Sequence, residues 1–95
     1  MNSPVELYKT YDPLEADRIA DLLADHGIWC AVRDLTMSPY PMTIGRFGER
    51  RISVAPQDRE RAREVLEDAI RDGYVSRDGA WIEDGHESPP PRRRA

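Results

Sequence analysis

A pattern written twice governs what this chain can fold into. Asp12, Ala16, Ile19 and Gly27 return as Asp58, Ala62, Val65 and Gly73, at four, seven and fifteen residues from the aspartate in both copies. Each copy reads as a short alternating strand (Val5 to Lys9, then Arg51 to Ala55), a helix entered at an aspartate, and a glycine suited to the left-handed backbone that ends a helix. Asp12 is placed to accept from the free amides of the first turn, Pro13 suits the first helical position, and Glu15 stands where a capping box would close. Asp58 is expected to cap the second helix in the same way.

The apolar stripes follow. Ala16, Ile19, Ala20 and Leu23, widened by Leu22, share one side of the first helix; Ala62, Val65, Leu66, Ala69 and Ile70 share one side of the second. Arg63, Glu67 and Arg71 have ion-pair spacing on the wet side. Ile28 to Asp34 predicts a strand with Ile28, Cys30 and Val32 on one face and Trp29, Ala31 and Arg33 on the other. Residues 35–49 hold Pro39, Pro41, Gly45 and Gly48 and read as a long hairpin loop. Tyr74 to Ser76 and Ala80 to Glu83 flank a turn signal at Arg77, Asp78 and Gly79, which makes either a small hairpin or a final strand. Residues 1–83 are read as a single domain, and 84–95, polar and then proline-rich, as a disordered tail.

Two strand-helix-strand units with right-handed crossovers interleave into one antiparallel sheet with both helices on one face, the α+β ferredoxin-like βαββαβ plan. Its helix side takes Val5, Leu7, Ile28, Cys30, Val32, Ile52 and Val54. Strict alternation puts Tyr8, Trp29, Ala31, Arg33, Arg51 and Ser53 on the reverse side, where exposed aromatics ask for a cover. Three covers are available: the C-terminal segment with Trp81, a second copy of the chain, or a ligand.

Charge limits the partners. The net charge is −4, and it resides in residues 1–73, with fourteen acids against ten bases; residues 74–95 carry four of each. An acidic domain is a poor polyphosphate binder, so no nucleic acid is expected, and Tyr8, Trp29, Arg33 and Arg51 only imitate an RNA-binding sheet. Cys30 is the single cysteine, which excludes an intramolecular disulfide, and neither a secretory pattern nor a membrane-length apolar run is present. A cytoplasmic protein without a membrane role is the expectation.

Candidate sites reduce mostly to structure. Cys30 has core parity, His26 complements the dipole at the end of the first helix, and Glu15, Asp17, Asp21 and Asp25 form a solvated face. Gly45 and Gly48 mark a turn, without the lysine and following helix of a phosphate loop. No catalytic, cofactor-binding or metal-binding set emerges, so the expectation is a protein that is not an enzyme and uses no cofactor. Met37, Tyr40, Met42, Arg46, Phe47 and Arg50 collect adaptable apolar groups and guanidinium donors in the irregular segment; with Tyr8, Trp29, Arg33 and Arg51 they make the candidate interaction surface. The function this implies is a regulatory domain that recognises a protein or small effector through residues 35–51 and the adjoining sheet face. The alternative is a structural homo-oligomer formed through that face.

The run D-P-L-E-A-D-R-I-A-D-L-L-A-D-H-G-I from Asp12 to Ile28, the pair Arg33 and Asp34, and R-I-S-V-A-P-Q-D-R-E-R-A-R-E-V-L from Arg51 to Leu66 resemble a family of small bacterial proteins described as prokaryotic signal-transducing proteins, a domain of unknown function. That family is similar in fold to the nitrogen-regulatory P-II proteins, which implies a ferredoxin-like sheet and a signalling role. The P-II proteins are nucleotide-binding trimers with a long loop between their second and third strands. Residues 35–49 fall in the corresponding place but are fewer, and no ligand residue carries over.

Overall fold

The structure, a computed structural model, describes residues 3–35 and 49–94. Strands β1 (Val5–Thr10), β2 (Cys30–Asp34), β3 (Arg50–Val54), β4 (Ala80–Glu83) and β5 (His86–Ser88) form one antiparallel sheet in the order β2-β3-β1-β4-β5. Helices α1 (Pro13–Asp25) and α2 (Arg59–Arg71) are the two crossovers. The first four strands carry the ferredoxin-like order that the repeat predicts, and β5 is an addition outside it. No helix among the described residues is long and apolar enough to cross a membrane.

The duplication survives in detail at the helix ends. Gly27 and Gly73 both take positive φ, at 71° and 81°. After each, the next amide reaches back five residues, Ile28 N to Leu23 O and Tyr74 N to Ala69 O, both at 2.9 Å. Each glycine thus lets the chain reverse while satisfying a terminal carbonyl. The helix starts differ. Asp12 caps α1 by accepting from Leu14 N at 2.9 Å, with Pro13 at the first position. Glu15 closes no box, because the Asp12 amide donates to Thr10 Oγ1 and the Glu15 carboxylate instead accepts from Ser76 N. Asp58 does not cap α2 through its side chain either; a 3-10 turn over Pro56–Asp58 feeds the helix directly.

The core lies between the sheet and the helices: Leu7, Tyr8, Ile28, Ile52, Val54 and Trp81 meet Ile19, Leu23, Ala62, Leu66 and Ile70. Each large apolar side chain closed off here stabilises the fold by roughly 1.5–3 kcal/mol. Val65 and Cys30 sit at its margin, half-buried.

One parity prediction fails at β1. Glu6 pairs with Ser53 and Tyr8 with Ile52, so Leu7 is an extra residue in the ladder. This bulge puts Leu7 and Tyr8 on the same side, and both are 1% exposed. Tyr8 therefore belongs to the core, and its ring meets Trp81 edge-on at 5.1 Å between centroids. Trp81 is consequently no cover for the outer face: it lies under α2, with the Arg63 guanidinium 4.6 Å from its ring centroid.

Of the C-terminal segment expected as a disordered tail, residues 84–94 instead form a strand and pack against the rest of the chain. Asp84 and Gly85 take φ values of 49° and 81°, the two positive angles of a tight hairpin turn, and return the chain as β5 along β4. Beyond it Pro90 is buried, the Arg77 guanidinium donates to the carbonyls of Pro90 and Pro91, and Arg94 N donates to the last carbonyl of α2, Arg71 O. Residues 84–94 thus belong to the folded unit.

Candidate functional site

On the outer face, the sheet register sets three cations in a row. Arg33 of β2 stands opposite Arg51 of β3, and Arg51 opposite Lys9 of β1. Like charges so placed repel unless acids intervene. They do for two of the three: Arg51 pairs with Glu6 at 3.2 Å and Glu49 at 2.9 Å, while Lys9 lies 2.7 Å from Glu87 and 3.9 Å from Glu49. The result is an alternating lattice, Glu6, Arg51, Glu49, Lys9, Glu87, running from β3 to β5. Burial pulls the Lys9 ammonium down, but Glu87 and Tyr11 together hold it above its ordinary value. Glu49, then Glu6, raise the Arg51 guanidinium above its usual range.

The third cation is different. Arg33 is exposed and has no ion-pair partner among the described residues. It sits on β2, an outermost strand of the sheet, in a stretch that also exposes Trp29 (55%) and Val32 (40%). These two account for half of the large apolar side chains left open among the described residues, Leu14 and Tyr74 being the others. Val32 has the helix-side parity the sequence assigns to it, yet it stays open, on a strand that among the described residues has β3 on one side only.

Of the candidate surface, then, the structure sets Arg33 and Arg51 opposite each other on β2 and β3, with Trp29 exposed just before β2. It places Arg50 beside Asp34 at 3.3 Å, and it removes Tyr8 to the core. Met37, Tyr40, Met42, Arg46 and Phe47 lie outside the described residues. Val32 escapes a reading by residue pattern because its exposure depends on which strand ends the sheet, a fact of topology. The Tyr8 phenol has no role on the surface; it lies against the Gly79 backbone without a well-formed hydrogen bond, and burial pushes it up to about 12.

Other features stay structural. Cys30 is half-buried, and burial raises its thiol above the ordinary value. His26 Nδ1 lies 3.0 Å from Leu22 O at the end of α1, and a proton on that nitrogen donates to the carbonyl. A groove of about 640 Å³ runs between the helices over Leu22, Val65 and Ala69, with Asp25, Glu64, Asp68 and Asp72 at its rim. The helices are tied across it reciprocally, Arg61 donating to His26 O and Arg18 to Tyr74 O.

The family model described as "Putative prokaryotic signal transducing protein" matches residues 5–70. The chain belongs to this family. The match covers both copies of the strand and helix and stops before β4 and β5. No curated protein and no solved structure matches the chain.

Proposed function

We propose that this chain is a non-enzymatic, cytoplasmic regulatory domain that acts by binding a protein partner through the β2 side of its sheet. The observation that carries the reading is the contrast within one row of cations: Arg51 and Lys9 are tied into ion pairs, whereas Arg33 has no such partner among the described residues and lies in the same exposed stretch as Trp29 and Val32. Aromatic and guanidinium groups are the side chains that concentrate binding energy at interfaces. The neighbouring lattice keeps this face stiff, so little ordering is required on association.

The test is affinity capture from bacterial lysate with the full chain and a Trp29→Ser/Arg33→Glu variant, beside a Glu64→Gln control on the opposite side of the molecule. The reading predicts proteins captured by the wild type and control but lost from the double variant. An unchanged set of captured proteins, with the variant still folded, would contradict it.

A further inference from the structure

In a twofold-repeated βαββαβ unit the last strands of the two copies, β2 and β4, are the natural edges of the sheet. Here their fates differ. β4 is covered by β5, whose three residues are polar and exposed and are followed directly by Pro89, Pro90 and Pro91. Short length, polar side chains and prolines are the means by which sheets blunt an edge. β2 is less guarded: it is five residues long, contains no proline, and beside the charged Arg33 and Asp34 it carries Val32 open with Trp29 just before it.

The backbone pattern shows which groups that edge offers. Leu35 N donates to Glu49 O, so Leu35 and Glu49 form a hydrogen-bonded pair, and the alternation of an antiparallel ladder makes Arg33 with Arg51 and Ala31 with Ser53 the next ones. The amides and carbonyls of Cys30, Val32 and Asp34 therefore point away from β3.

We propose that two copies of this chain pair through β2, antiparallel, about a twofold axis at Ala31, joining two sheets into one. The occupant is a second copy because the strand is complementary to itself in this register. Cys30 meets Val32 of the other copy, bringing together two helix-side apolar groups, and their outward backbone groups close the ladder. On the outer face Arg33, which has no ion-pair partner among the described residues, meets Trp29 of the other copy, a guanidinium against an indole. Ala31, the smallest side chain of the strand, falls at the axis, where a non-hydrogen-bonded pair brings side chains closest. The pairing uses the same strand as the function proposed above but does not depend on it. A monomer that still captures proteins through Trp29 and Arg33 would end this proposal and leave the other standing.

The test is sedimentation equilibrium of the full chain from about 10 to about 500 μM, where a self-associating protein shows a concentration-dependent mass. The wild type is expected to shift from monomer to dimer. Val32→Pro is the decisive variant: its amide faces outward, so the ring costs no hydrogen bond within the sheet but blocks the pairing. Trp29→Glu, at an exposed position, supplies a second variant that keeps the fold. Each should weaken the dimer at least tenfold with an unchanged circular dichroism spectrum. In a Cys30→Ser background, Ala31→Cys should cross-link under mild oxidation and Ser53→Cys should not. A wild-type monomer across the range would overturn the proposal. So would a dimer indifferent to both variants, or cross-linking at Ser53→Cys in place of Ala31→Cys, which would mean that the sheets pack face to face.

Discussion

The two edges of this sheet descend from the same repeated unit and are treated in opposite ways. After α1 the chain goes from Gly27 to Cys30 and straight into β2; after α2 it travels from Gly73 to Ala80 before β4 begins. The longer path buries Val75, brings Gly79 against β1, and continues through a tight turn into β5. The second copy thus finishes its own edge with extra chain, while no strand among the described residues covers the edge of the first. What this teaches is that a duplicated fold becomes asymmetric, and so able to act at one place, through what is appended to one copy.

Each edge carries one tryptophan, and the largest test separates them. Trp81 is 2% exposed and packed between Tyr8 and Arg63, so Trp81→Ala should cost about 3–5 kcal/mol in urea denaturation. Trp29→Ala should change the stability of the monomer by no more than about 0.5 kcal/mol. Equal losses would erase the distinction between the edges.

The finished edge should also be sensitive to alkali. Burial holds the Tyr8 phenol at about 12, above the ordinary value of 10.0, so the unfolded chain releases this proton first as the pH rises. The stability tied to it is complete below pH 10 and is lost as the pH climbs through about 12, up to about 2–3 kcal/mol in all. Chemical denaturation across that window should show a decline that Tyr8→Phe reduces; parallel profiles would place the phenol in water.

Gly79 sharpens the same corner. A Cβ there would stand 2.2 Å from Lys9 O and 2.4 Å from Tyr8 Cε2, and backbone cannot yield as a flexible side chain can. Gly79→Ala is expected to cost about 1–3 kcal/mol by thermal or urea unfolding, as overpacking does. Gly27→Ala on the other copy meets open space and suffers only from its positive φ, at about 1 kcal/mol. The smallest effect is electrostatic. Glu87→Gln removes the 2.7 Å partner of Lys9 from β5 and should cost at most about 1 kcal/mol, shrinking with added salt because Glu87 is half exposed.

Much of the fold is legible in the residues because it is specified by local, repeated signals. The glycine caps, the helix stripes and the Arg63, Glu67 and Arg71 ion pairs appear where spacing puts them, the pairs at 3.9 and 2.8 Å. Tyr8 departs from its expected face because alternation is a rule for an unbroken ladder, and nothing local announces the bulge at Leu7. The β5 hairpin has a signal, the dipeptide Asp84-Gly85 after Ala80 to Glu83, but the polar composition of the strand it returns hides it. The site is legible as residue types and not as a place. Trp29 and Arg33 stand out as an exposed aromatic and a cation, yet that Arg51 is neutralised and Arg33, among the described residues, is not depends on Glu6 and Glu49, brought in by strand register.

The open edge is tested most directly by amide hydrogen exchange resolved residue by residue along β2, at low and high protein concentration. Ala31, Arg33 and Leu35 should be protected at both, by their bonds to β3, while Cys30 and Val32 should exchange fast when dilute and slow as concentration rises. Protection of Cys30 and Val32 that is already strong at the lowest concentration would contradict an open edge, because it would mean that β2 is covered within its own chain.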